Sequence, residues 1–154
     1  MFRRHPLLSV LTVAYLFALA WLTLTPTSNG ERAFSLLGRL VDLFQRHEST
    51  AWLTYSLAEF MANIVLFVPM GVFVVLLFGR RHWWAGIFVG VLTSCWIELA
   101  QGVWLPDRVA DPRDLASNAI GTALGVLVAL VITWPAAHRH RALDAARAAR
   151  HAEA

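Results

Sequence analysis

Glu59 and Asn63 are four residues apart, Ser94, Glu98 and Gln101 follow at intervals of four and three, and Asp114 and Asn118 are again four apart. Each set therefore lies on one face of a helix; at ~100° per residue, Ser94, Glu98 and Gln101 fall within an arc of roughly 60°. Arg108 stands between the last two sets. Carboxylates accept hydrogen bonds, carboxamides donate and accept, and a guanidinium offers a fork of donors suited to phosphate or carboxylate. Such a collection can bind a polar headgroup. It could instead run acid–base chemistry, with Glu98 as the acid/base and Arg108 stabilising developing negative charge. A third use is proton-coupled transport through Glu98, which would need an oligomer because four helices enclose a small pore at best.

Other chemistry finds less support in the residue types. The sequence has no HExxH and no histidine pair at zinc spacing, and the lone Cys95 excludes an intrachain disulfide or a cysteine metal site. No metal or cofactor is expected. Ser94 is expected to bond its own helix backbone instead of acting as a nucleophile, and Cys95 to pack in the core.

The elements that must position these groups are read from hydropathy. Of the 154 residues 58% are hydrophobic and 15% charged, and the mean hydropathy is +0.57, the profile of an integral membrane protein. The net charge of +3 is carried by arginines that do not cluster on one soluble face, so nucleic acid is not an expected partner. Four stretches, about 7–25, 57–78, 83–104 and 115–134, have the ~20 apolar residues that cross ~30 Å of hydrocarbon. Helix is the secondary structure that satisfies their backbones in lipid. The expected fold is an all-α bundle of four transmembrane helices, forming a membrane domain over 1–137. The first stretch has a basic start and an "ALA" at 18–20 like a signal peptide, but Trp21 and a continuing apolar run favour an uncleaved anchor.

Two further segments are helical by pattern. In 31–47, Phe34, Leu37, Val41 and Phe44 form an apolar stripe, giving a short amphipathic helix that either lies on the membrane surface or packs across the mouth of the bundle. The arginine- and alanine-rich 138–154 is read as a cytoplasmic helical tail attracted to anionic headgroups, by roughly 1 kcal/mol per arginine that reaches the surface.

Arg3, Arg4, Arg80, Arg81, Arg139, Arg141, Arg147 and Arg150 fall on one side of a four-span path, and Arg32, Arg39, Arg46, Arg108 and Arg113 on the other. The positive-inside rule then puts both termini in the cytoplasm. Glu59, Asn63, Glu98, Gln101, Asp114 and Asn118 come to one level, in the outer leaflet. Gly121 and Gly125 continue the Asp114–Asn118 stripe, and Gly86 and Gly90 repeat the spacing on the third span, as close-packing helices require. Plainer roles exist for several positions. Asp111, Pro112 and Asp114 suit the N-cap, N1 and N3 sites of the fourth helix. Asn63 and Asn118 can serve as interhelical glue, Glu59 as a solvated end residue, and Pro69 as a kink.

"ANIVLFVPMG" (62–71) and "SCWIELAQGVWLPDRVADPRDLASNAIGTALG" (94–125) together resemble the VanZ-like family of small bacterial membrane proteins. The resemblance rests on Asn63, Phe67, Pro69 and Gly71 in the second span, and on Ser94, Glu98 and Gln101 in the third. Arg108 and then Asp114, Asn118, Gly121 and Gly125 complete it, over about two-thirds of the chain. It implies a multi-pass protein of the bacterial cytoplasmic membrane, in a family named for low-level resistance to the glycopeptide teicoplanin. The activity of that family is not settled; it is the polar cluster itself that is read as binding membrane lipids or lipid-linked wall precursors, through Glu59, Asn63, Glu98, Gln101, Arg108, Asp114 and Asn118, with homo-oligomers allowed.

Glu98 lies about 9 Å from the end of its span, where an acidic side chain needs a partner or a proton. Pairing with Arg108 predicts that Arg108→Ala lowers the thermal midpoint in detergent. If Glu98 is simply protonated, Glu98→Gln is tolerated and the arginine change has no effect.

Overall fold

The computed structural model describes residues 6–24, 37–47, 50, 52–104 and 111–152, with side chains as far as Pro135. The helices are α1 (Pro6–Leu24), α2 (37–45), α3 (Tyr55–Phe78), α4 (Trp83–Trp104) and α5 (Pro112–Ala152). No strand occurs among the described residues. Four helices are long and apolar enough to cross a membrane: α1, α3, α4 preceded by its 3-10 turn, and α5 as far as Pro135. The protein is an all-α membrane protein, as its hydropathy predicts. The last helix differs from expectation in extent, since it starts at Pro112 and runs through Pro135 to Ala152.

Local chemistry sets the helix ends. Thr54, in an extended conformation, accepts at its hydroxyl from the Leu57 N–H (3.3 Å) and so caps α3. Gly79 closes the same helix, donating its N–H to the Val75 carbonyl at 2.8 Å. Its φ of +84° is open to glycine at little cost, and the 3-10 turn Arg80–His82 then reverses the chain into α4. At the start of α5, Asp111 Oδ1 accepts from the Arg113 N–H at 2.9 Å and Pro112 takes the first helical position.

Packing centres on α5, which lies against both α3 and α4 and meets α3 most extensively. A Cβ on Gly121 would strike the Ile64 carbonyl, one on Gly125 the Val68 carbonyl, and one on Gly71 the Thr122 carbonyl. These three glycines let two backbones touch. On α4, Gly86 faces Val126 Cγ2 (2.6 Å from an added Cβ) and Gly90 faces the Thr122 side chain. Lipid tails are as apolar as leucine, so helices here associate through close van der Waals contact and polar bridges, which small residues permit. Phe67, Met70, Val74 and Ile97 form one buried cluster with Leu19, and Val75, Val126 and Ala129 form another.

Helix α1 is peripheral, with Leu19 its one buried residue. Tyr15 fastens it to α3 by donating its hydroxyl to the Leu66 carbonyl at 3.0 Å and tilting against Phe73. Pro69, which has no N–H, leaves the neighbouring Val65 carbonyl, not that of Leu66, without its helical donor. The helix remains continuous there. Cys95 corrects the sequence reading: it is exposed on the outer face of α4. Hydrophobicity alone cannot separate a core face from a lipid face, and one residue past the buried Ser94 the helix has turned ~100°.

The apolar stripe of α2 turns toward the bundle: Val41 is buried and Leu37 half-buried. Gln45 Nε2 donates to the Leu53 carbonyl at 3.0 Å, tying the end of α2 to the approach of α3. Phe34 lies outside the described residues. At the opposite end of the bundle, Arg80 donates to Thr133 Oγ1 (2.6 Å) and to the Leu130 carbonyl, and its guanidinium sits 5.5 Å from the Trp134 ring centroid.

Gly125→Val forces a branched side chain against the Val68 carbonyl and should cost about 1–3 kcal/mol. Gly102→Val, where an added Cβ meets nothing within 4 Å, should be near neutral. Reversible unfolding in mixed micelles measures both.

Candidate functional site

Thr23 near the end of α1, Glu59 near the start of α3, Gln101 near the end of α4 and Asp114 near the start of α5 line one cavity of about 210 Å³. The helices therefore alternate in direction, and the cavity lies at one end of the bundle. Six residues singled out by spacing meet there: Glu59, Asn63, Glu98, Gln101, Asp114 and Asn118. Arg108, the seventh, lies outside the described residues. Phe67 and Ile97 form an apolar wall, and Leu37 of α2 closes one side.

The polar groups cross-link the helices around this space. Asn63 Nδ2 donates to Asp114 Oδ1 at 2.8 Å, joining α3 to α5. Gln101 Nε2 donates to the Thr23 carbonyl at 2.8 Å, joining α4 to α1. Asn118 Nδ2 donates to Ser94 Oγ at 2.9 Å, joining α5 to α4. Ser94 is fully buried and takes part in this interhelical bridge, a role that its sequence position alone did not suggest. Each amide thus holds one seam of the bundle. Asp111 and Arg113 stand outside: Asp111 caps α5, and Arg113 reaches to Ser56 Oγ at 2.8 Å.

One buried side-chain atom among the described residues has no partner. Asn118 is 5% exposed, and its Oδ1 accepts nothing. Leaving such an acceptor unsatisfied costs about 1–3 kcal/mol, and this one belongs to a residue that lines the cavity. The described lining also carries three carboxylates, Glu59, Glu98 and Asp114, and no cationic side chain. None of the three is free of interactions. No group of three His, Cys, Asp or Glu among the described residues could hold a metal ion.

Several participants carried no usable signal. The Thr23 carbonyl is a backbone group, invisible to side-chain reasoning. Ser117 and Thr122 are fully buried and bond backwards along α5, to the carbonyls of Asp114 (2.9 Å) and Asn118 (2.8 Å). Their lack of exposure follows from the glycine contacts, and small hydroxyl residues beside a GxxxG spacing are the one hint available.

The sequence model of the VanZ/LLP1 family matches residues 12–133 of the chain. No curated protein and no solved structure matches it. The matched span takes in all the cavity-lining residues named above.

Asn63→Ala and Asp114→Ala each remove one side of the α3–α5 bridge. A double-mutant cycle read by steric-trap unfolding should give a coupling of about 0.6 kcal/mol, and at most about 1.7. A coupling of zero means that the two side chains do not bond in the membrane.

Proposed function

The chain belongs to the VanZ/LLP1 family, and on that premise we propose that its cavity binds the headgroup of a cell-envelope lipid or lipid-linked wall precursor at the outer leaflet of the cytoplasmic membrane. The observation that carries this reading is the meeting of six polar side chains from three helices around one space, one of them, Asn118, holding a buried acceptor without a partner. Placement on the outer side follows from arginine asymmetry. The cavity end is opposite the Arg80–Arg81 link, and eight arginines fall on that link's side of the membrane against five on the other.

In this reading the three amides do two jobs. Gln101 and Asn63 spend their donors on Thr23 and Asp114 and so fix the frame, while Asn118 keeps an acceptor for the occupant. Arg108, arriving from the segment between α4 and α5, takes the phosphate or carboxylate of the headgroup at the rim. A wall precursor in this site would connect the protein to glycopeptide tolerance, since those antibiotics act on such precursors at the same membrane face. Ser94 is bonded to Asn118 and fully buried, which favours binding over covalent catalysis.

Native mass spectrometry of the protein released from membranes should show one retained lipid, lost in Arg108→Ala. Incubated with lipid-linked wall precursors, the purified protein should leave them chemically unchanged. Turnover abolished by Glu98→Gln would replace this reading with an enzymatic one.

A further inference from the structure

Arg80 ties two distant segments of the chain together at the end of the bundle away from the cavity. It donates to the Leu130 carbonyl and to Thr133 Oγ1 (2.6 Å), 50 and 53 residues further along, and its guanidinium lies 5.5 Å from the Trp134 ring centroid. These contacts hold the turn Arg80–His82 beside the part of α5 that approaches Pro135. Arg80 is half-buried and committed to them, whereas Arg81, next in the turn, is exposed. Arg139 and Arg141 follow on the same unbroken helix, their backbones roughly 6 and 9 Å beyond Pro135.

Charge of one sign therefore gathers here. The chain has no acidic residue between Glu59 and Glu98 or between Asp114 and Asp144, and those two stretches hold Arg80, Arg81, Arg139 and Arg141. Asp144 comes only roughly 14 Å past Pro135 along α5. Trp83, Trp84 and Trp134 border the same turn and are 46%, 56% and 58% exposed. Exposed indoles at the end of a spanning helix mark the depth of the headgroups. A cationic patch at that depth meets lipid phosphate before it meets anything dissolved in water.

We propose that the turn Arg80–His82 and the exit of α5 form a binding surface for the headgroup of an anionic phospholipid, in the leaflet on the other side of the membrane from the cavity. Arg81, Arg139 and Arg141 supply the charge, and Arg80 holds the two segments that carry it side by side. Guanidinium groups suit this partner because each offers a planar fork of donors to a phosphodiester. The tie also matters energetically: segments already held together lose less freedom when the lipid binds. The surface is independent of the cavity and of whatever the cavity holds.

The test irradiates the full-length protein in nanodiscs doped with phosphatidylglycerol or phosphatidylcholine of equal chains, each carrying a diazirine next to the headgroup, and maps the labelled peptides. Phosphatidylglycerol should label residues 79–84 and the first residues after Pro135 in preference to phosphatidylcholine. Raising the salt should weaken that preference, since screening shortens the reach of the charges. Arg81→Gln, at an exposed position, should lower it about fivefold, the effect of one arginine near an anionic surface. Arg81→Lys should keep most of it, and Arg139→Gln with Arg141→Gln should lower it further.

Equal labelling of residues 79–84 by the two lipids overturns the proposal. So does a preference that Arg81→Gln and the Arg139→Gln, Arg141→Gln pair both leave unchanged, or phosphatidylglycerol labelling confined to residues 52–62 at the cavity end. Each of these outcomes leaves the headgroup reading of the cavity where it stood, because the preference is measured at the opposite end of the bundle.

Discussion

Where α3 crosses α5 there is room for two backbones and nothing between them. Gly71, Gly121 and Gly125 each face a carbonyl of the opposite helix across a distance that no Cβ could share. Packed helices ordinarily lie 8–10 Å apart according to the side chains between them, and in lipid no hydrophobic force draws them closer. This approach brings the first turns of both helices near enough for Asn63 to reach Asp114. Asn118, on the same stripe of α5, is thereby turned toward α4 and Ser94. Wider separation would leave the amides short of their partners and the cavity without its polar wall.

The bundle treats its two ends differently. At one, carboxylates and amides of α3, α4 and α5 gather inward and each amide links two helices. At the other, Arg80 reaches across to α5, bonds Thr133 and the Leu130 carbonyl, and lies over Trp134. A guanidinium so placed satisfies free carbonyl capacity in the final turns of the span while keeping its charge toward the interface. Between the ends, Phe67, Val75, Val126 and Ala129 are nearly or fully buried and bring no polar group. Hydrogen bonding is thus concentrated where an occupant could reach it, and the apolar middle supplies contact.

The spans were legible because a hydrocarbon slab leaves the chain little choice: twenty apolar residues in a row must be helix. The shared level of Glu59, Glu98 and Asp114 was legible too, since alternating helices convert position along the chain into depth. What pattern could not supply was pairing. Gln101 might have met any of several acceptors, and its actual partner is a backbone carbonyl on the least buried helix. Cys95 looked like core for the same reason that Phe88 and Trp96 might have: in lipid, the outside of a helix is as apolar as the inside. An apolar groove between α2 and α3 escaped notice because it belongs to neither helix alone. It exists only once Val41 is pressed inward and Ala58 and Ala62 leave a shallow floor on α3.

The uninterrupted length of α5 has a consequence of its own. Forty-one residues of helix measure roughly 60 Å at 1.5 Å each, about twice the oily thickness of a bilayer. Beyond Pro135 the chain leaves as a stem. Along it the backbones of Arg139 and Arg141 stand within roughly 10 Å of Pro135, but those of Arg147 and Arg150 are roughly 18 Å or more away. Surface potentials fade over ~8 Å in physiological salt. Continued along the bundle axis, such a stem would carry Arg147 and Arg150 beyond the reach of headgroup charge and leave Arg139 and Arg141 to meet it.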